Sequence, residues 1–147
     1  MTEEQLHQQL GQAAALMLRC DEYCHYPIAC LGVWIRPAVL LNQIHFFTDT
    51  AGHVVGYMTW ARLAEDSEHR LLHDPHFLLH AVEWNEGDRL WILDFVLTTG
   101  RLRRSLHEAA LLFPKDRTAR SARRREDGSI RRLRTWHRAR LVCATSE

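Results

Sequence analysis

The residue whose type and setting most invite chemistry is Asp94, in the run Leu90-Trp91-Ile92-Leu93-Asp94-Phe95-Val96-Leu97, where every neighbour is apolar. A carboxylate among such neighbours costs on the order of several kcal/mol unless a partner compensates it. Positions two apart share a strand face, so Asp94 shares one with Ile92 and Val96. Two readings stand: a structural carboxylate bonded to backbone or to an arginine near the strand end, or a functional carboxylate held beside a charge partner. Just beyond the same run, Gly100 opens a helix, and Arg101, Arg103 and Arg104 follow it. A strand–turn–helix connection of this kind aims backbone N–H groups at an anion, so a pyrophosphate or the phosphate of a phosphopantetheine arm would suit the spot. An ordinary connection carries the same residues often enough that both readings stay open.

Proton transfer needs a second group. The chain has ten histidines. His7 lies on the polar side of a helical stretch, and His69, His73, His76 and His80 belong to helical or loop sequence where solvated imidazoles are common. His25 differs because it stands between Tyr23 and Tyr26 at a break between elements, a place where loops often carry function. The four cysteines, Cys20, Cys24, Cys30 and Cys143, lack the paired short spacings of structural zinc, and no metal site is expected. Cys20 or Cys24 as an acyl-enzyme nucleophile finds no sequence feature that lowers a thiol pKa. No Walker loop, dinucleotide fingerprint, nucleophile elbow or zinc-helix histidine pair occurs.

Several elements must position these groups. Leu6, Leu10, Ala13, Ala14, Met17 and Leu18 repeat at helical spacing, and Thr2 with Gln5 has the form of a capping box. The polar aromatic stretch Asp21 to Tyr26 ends at Pro27, and the apolar run Ile28 to Ile35 predicts a strand ending before Pro37. Ile44–Thr48 and Val54–Trp60 flank the turn-rich Asp49-Thr50-Ala51-Gly52 and predict a hairpin. A helix is expected from about Ala61 to Leu72, then a turn at Asn85-Glu86-Gly87-Asp88 and a central, doubly covered strand over Leu90–Leu97. Leu102, Leu106, Ala109, Ala110 and Phe113 mark a further amphipathic helix ending at Pro114. Beyond Lys115, Asp127-Gly128 between Arg-rich arms reads as a basic hairpin or extended ribbon. The order points to an α/β (α+β) fold, a mixed, mostly antiparallel sheet flanked by helices. The 147 residues suit a single domain, 1–147, with an Arg-rich C-terminal segment from about 115 to 147.

Charge is polarised along the chain. Residues 1–100 carry five Arg against thirteen Asp and Glu, a net of −8, and residues 101–147 carry thirteen Arg and one Lys against five acids, a net of +9. An anionic partner at the C-terminal end follows; nucleic acid, a membrane surface and an acidic protein all fit. Arg123-Arg124-Arg125 and Arg131-Arg132 with Trp136 nearby keep a nucleic-acid-binding reading open as the weakest of the alternatives. No apolar run approaches the ~18 residues of a membrane span. The acidic start lacks the pattern of a signal peptide, so a cytoplasmic location with reduced thiols is expected.

The residues also carry a likeness. Pro27-Ile28, Ile35-Arg36-Pro37-Ala38-Val39, Asn42-Gln43, Gly56-Tyr57-Met58-Thr59-Trp60-Ala61-Arg62-Leu63 and, above all, Glu83 to Phe95 with its Gly87-Asp88-Arg89 turn resemble the RTX-toxin-activating lysine acyltransferases (hemolysin-activating acyltransferases). The resemblance implies a bacterial enzyme with a fold similar to the GCN5-related acetyltransferases. It implies no bound cofactor, an acyl-phosphopantetheine on acyl carrier protein as donor, and an internal lysine of an RTX-type protoxin as acceptor. A homodimer is implied by the likeness alone. Acyl carrier proteins are acidic, which agrees with the basic C-terminal end. The family's catalytic Asp maps onto Asp94. Its His lies four residues before the proline matching Pro27, where this chain has Tyr23; a Ser three places earlier falls at Cys20. The resulting expectation is direct transfer, with His25 as base from a locally shifted loop, Asp94 as its orienting group, and Gly100, Arg101, Arg103 and Arg104 on the donor. The alternative is a catalytically inactive adaptor of the same fold that binds a carrier protein or other acidic partner.

Overall fold

The computed structural model describes residues 1–143; residues 144–147 of the Arg-rich segment lie outside the described residues. The chain opens with α1 (Glu3–Leu18), whose start is fixed by the expected capping box: Gln5 N–H donates to Thr2 Oγ1 at 3.1 Å and Thr2 N–H to Gln5 Oε1 at 2.8 Å. Two otherwise orphaned donors are thereby satisfied reciprocally. Ala13, Leu16 and Met17 form the buried stripe, whereas Leu18, expected on it, is exposed. One residue turns a helix by about 100°, which carries Leu18 away from the face Met17 buries.

The expected strand over Ile28–Ile35 is helical instead. A π-helical turn (Leu31–Ile35) runs directly into α2 (Arg36–Leu40). The residues it buries are Cys30, Ile35, Ala38 and Val39, while Gly32 and Val33 stay exposed, a spacing that no two-residue alternation produces. Pro37 does not end the segment. It sits in the first turn of α2, where its missing N–H costs nothing and its fixed φ suits the helix.

The hairpin forms where expected, from β1 (Ile44–Thr48) and β2 (Val54–Leu63), paired antiparallel from Ile44↔Thr59 to Thr48↔Val54 with a bulge after Phe47. Asp49 organises the turn, its Oδ1 accepting from the Ala51 and His53 N–H groups at 2.9 Å each. β2 continues through Ala61 and Leu63, both buried, so the helix expected from Ala61 begins later, as α3 (Glu65–His73). Strand pairing claims these residues ahead of their helical propensity. A 3₁₀ turn (Ala81–Trp84) and the bends around Gly87 lead into β3 (Arg89–Leu97). Then come α4 (Leu102–Leu111), β4 (Thr118–Arg124), β5 (Ile130–His137) and a short α5 (Arg138–Cys143) that the sequence reading did not anticipate.

The five strands follow the order β1-β2-β3-β4-β5, which puts β3 in the middle as expected. β3–β4 pairing is parallel and restricted to Trp91↔Arg120 and Ile92↔Ser121, whereas β4 and β5 form a long antiparallel hairpin turned at Asp127-Gly128. The expected basic ribbon is therefore a true hairpin. This is the mixed α/β, mostly antiparallel architecture, consistent with a fold like that of the GCN5-related acetyltransferases.

Two compact units share these elements. The first, Met1–Thr59 with Asp94–Leu102, buries Ala13, Leu16, Met17, Ile35, Val39, Phe47, Tyr57, Met58 and Val96. The second comprises Trp60–Leu93 and the chain from Arg103; it buries Leu63, Leu71, Trp84, Leu90, Trp91, Ala109, Ala110 and Phe113. One glycine in each unit explains itself by close approach. A Cβ on Gly56 would collide with the Val96 carbonyl oxygen, and one on Gly87 with the Leu63 carbonyl.

Candidate active site

Asp94 sits on β3 in the first unit, and its strand face is met by side chains from two other segments. Tyr23 Oη donates to Oδ1 at 2.9 Å, and Thr59 Oγ1 donates to Oδ2 at 3.2 Å. Thr59 belongs to β2, and Tyr57, two residues earlier, lies on the same strand face. Its hydroxyl is buried and makes no hydrogen bond among the described residues.

Tyr23 comes from the turns between α1 and the π-helical segment. The backbone there is pinned by Tyr23 N–H and Cys24 N–H, which both donate to the Cys20 carbonyl at 2.9 Å. Tyr26 packs edge-on against Tyr23 (5.5 Å between centroids) and against Trp34 (5.3 Å), extending an aromatic chain outward to a partly exposed ring.

The electrostatics follow from this enclosure. Burial holds the Asp94 carboxyl above its ordinary range, even though the Tyr23 and Thr59 hydroxyls, by donating to its charged form, pull the other way. Burial likewise raises the Tyr23 phenol, with Asp94 adding to the effect, and raises Tyr57 beyond any physiological titration. The Cys30 thiol is pushed up by burial and then by Asp94, which keeps it protonated and a poor nucleophile. No arginine, lysine or histidine forms an ion pair with Asp94 among the described residues. The carboxylate is held by hydroxyls alone.

The other expected site residues are distributed as follows. His25 lies on the same turn as Tyr23 but is exposed, and the hydrogen bonds to Asp94 come from Tyr23 and Thr59 instead. Gly100 and Arg101 fall with Asp94 in the first unit, between β3 and α4, and Gly100 has open space around its Cα. Arg103 and Arg104 are exposed in the first turn of α4, in the second unit. That turn holds no acidic residue to balance its dipole. Among the described residues no cluster of His, Cys, Asp and Glu could hold a metal ion.

Sequence reasoning missed three of Asp94's neighbours. Thr59 and Tyr57 were findable, since they alternate on one face of a strand in a stretch already singled out. Tyr23 stands out in the sequence as a flank of His25 and as the residue in the expected imidazole position, not as a partner of Asp94.

A family model described as the RTX toxin acyltransferase family matches residues 2–137. The chain belongs to that family. Among curated members, it is 32% identical over 91 residues to the RTX-II toxin-activating lysine-acyltransferase ApxIIC of Actinobacillus pleuropneumoniae, covering 62% of this chain and 56% of that protein. It is 29% identical over 91 residues to the protein-lysine myristoyltransferase HlyC of Escherichia coli, covering 62% and 51%. An uncharacterised protein of Synechocystis sp. is 22% identical over 130 residues, covering 87% of this chain and 88% of its own. The chain spans about half the length of the toxin-activating acyltransferases it matches.

Proposed function

We propose that this member of the RTX toxin acyltransferase family is a protein-lysine acyltransferase. It would move a fatty acyl group from the phosphopantetheine thioester of acyl carrier protein to an internal lysine of an RTX-type protoxin. The observation that supports the reading is Asp94: a carboxylate on the middle strand, held by two hydroxyls and paired with no cation among the described residues, in a setting where functional carboxylates are found. A lysine amine, with pKa near ~10.4, must lose a proton before it attacks a thioester, so the reaction needs a proton acceptor. His25 and Asp94, both in the first unit, are the two proton acceptors that the sequence singles out. Gly100, Arg101, Arg103 and Arg104 would take the donor's phosphate, and the basic β4–β5 hairpin would steer an acidic carrier toward the molecule. The donor and acceptor make the cytoplasm of a bacterium the expected site of action; a homodimer is expected from the family likeness alone.

Intact-mass detection of acyl transfer tests the reading, with loaded acyl carrier proteins of several chain lengths and a lysine-containing RTX acceptor. Transfer by the wild type supports it. A second reading, a non-catalytic adaptor, is favoured by one observation: Tyr23 rather than an imidazole holds Asp94. Carrier binding without transfer to any acceptor would select the adaptor.

A further inference from the structure

A half-buried carboxylate that no cation pairs among the described residues is an incomplete arrangement, and what completes it can be read from its surroundings. Each carboxylate oxygen accepts about two hydrogen bonds, and Tyr23 and Thr59 fill one on each. Further acceptor sites therefore remain. The Tyr57 hydroxyl, buried on the same side of β2 as Thr59 and close enough to feel Asp94, has no hydrogen-bond partner of its own. The titratable groups that face Asp94 are Tyr23, Tyr26 and Cys30 from the segment after α1, and Tyr57 from β2. None is cationic. Tyr26 is 46% exposed, and its ring marks the solvent side of the aromatic chain. A primary alkylammonium fits what is missing: positive charge, three compact donors, and affinity for aromatic faces.

We propose that Asp94, fixed by Tyr23 and Thr59, itself receives the acceptor's primary amine and takes its proton, with Tyr23 as the positioning residue and His25 dispensable. The inference rests on the acyltransfer reading and assigns its base. The step balances. One ammonium proton passes to a carboxylate oxygen, and the freed nitrogen lone pair forms the C–N bond at the thioester carbonyl. The C–S bond breaks with its electron pair on sulfur, and the second nitrogen proton ends on that sulfur as the carrier's thiol. Asp94 then returns its proton to solvent. Enclosure assists the first transfer, because desolvation disfavours both the carboxylate and the ammonium relative to the neutral acid and amine.

Two measurements on the full chain test this. In the transfer assay, Asp94→Asn is expected to lose ~100-fold or more in kcat/KM, the scale of a general base, while His25→Ala stays within about threefold. Tyr23→Phe is expected to lower kcat/KM by ~10-fold, one hydrogen bond to a charged group. It should also move the acid limb of the pH profile to higher pH, because removing a donor to the carboxylate raises the pH at which Asp94 ionises; a merely structural tyrosine would not move that limb. The second measurement is calorimetric binding of a lysine peptide and its Nε-acetyl form. Asp94→Asn is expected to weaken the first and leave the second unchanged. Transfer abolished in His25→Ala, or an acid limb unmoved in Tyr23→Phe, overturns the inference while leaving the acyltransfer reading intact. A wild type that transfers to no acceptor defeats that reading. The inference then falls as well unless the lysine peptide binds in preference to its acetylated form and loses that preference in Asp94→Asn.

Discussion

Two enclosed carboxylates, one in each unit, are satisfied in opposite ways. Glu83, in the 3₁₀ turn of the second unit, accepts from Ser67 Oγ at 2.7 Å and from the His80 N–H at 3.2 Å, and it pairs with the Arg70 guanidinium. Charge, hydroxyl and backbone together leave it little more to bind. Asp94, in the first unit, has two hydroxyls and no cation. A structural carboxylate is finished by its own chain; a functional one is left needing something that its substrate brings. The same residue chemistry therefore gives a clamp at Glu83 and, on the reading proposed above, a site at Asp94, according to whether an arginine is within reach.

The largest expected effect separates the two by activity. Asp94→Asn should abolish acyl transfer with the fold intact, its thermal midpoint within a few degrees of wild type, as scanning calorimetry would show. Glu83→Ala should do the reverse. It strands Arg70 and Ser67, costs about 2–3 kcal/mol, and lowers Tm by ~6–10 °C while activity per folded molecule persists. Equal losses of activity in the two variants would erase the distinction.

Next in size are the glycines that allow close backbone approach, one in each carboxylate's unit. Gly56→Ala and Gly87→Ala both force a Cβ onto a carbonyl oxygen, and each should cost on the order of 2 kcal/mol in urea denaturation. The Gly56 change should also reduce transfer, because β2 carries Thr59.

A smaller effect sharpens the comparison through pH. The folded carboxyl of Asp94 ionises above its unfolded counterpart, so the native state holds its proton longer. Stability attributable to Asp94 is then fullest below the ordinary carboxylate range near ~4 and is lost as pH rises through the elevated native value. Asp94→Asn should be at least as stable as wild type at neutral pH, with its advantage shrinking on acidification. An advantage that grows on acidification would contradict an enclosed, uncompensated carboxylate.

The smallest effect concerns the donor side. Neutralising Arg101, Arg103 and Arg104 to Gln should slow transfer by ~10-fold at low ionic strength and less at high salt, as screened steering requires. Salt-independent loss would point to direct structural damage instead.

Much of this was legible in the chain. Thr2 and Gln5 announce the start of α1 because a cap is a contact between residues three apart. The β1–β2 and β4–β5 hairpins are legible for the same reason, each turned by a few local residues such as Asp49 or Asp127-Gly128. β3 declared itself through a continuous apolar run, and Asp94 through its offence against that run. The segment 28–35 misled because a short apolar stretch has no period of its own. Only the spacing of what is buried, Cys30, Ile35, Ala38 and Val39, reveals a helix, and burial is decided by the partners.

Sequence by itself determined the family, the order of most elements, the charge polarity and the one carboxylate worth watching. All of these are local, or sums over the chain. Only the tertiary structure decided that Tyr23, 71 residues away, and Thr59, 35 residues away, are what Asp94 meets, that His25 is exposed, and that no cation among the described residues pairs with the carboxylate. Those facts depend on which side chains a fold brings within hydrogen-bond distance of one another. A step of two residues along a turn, from Tyr23 to His25, is enough to exchange one chemistry for another.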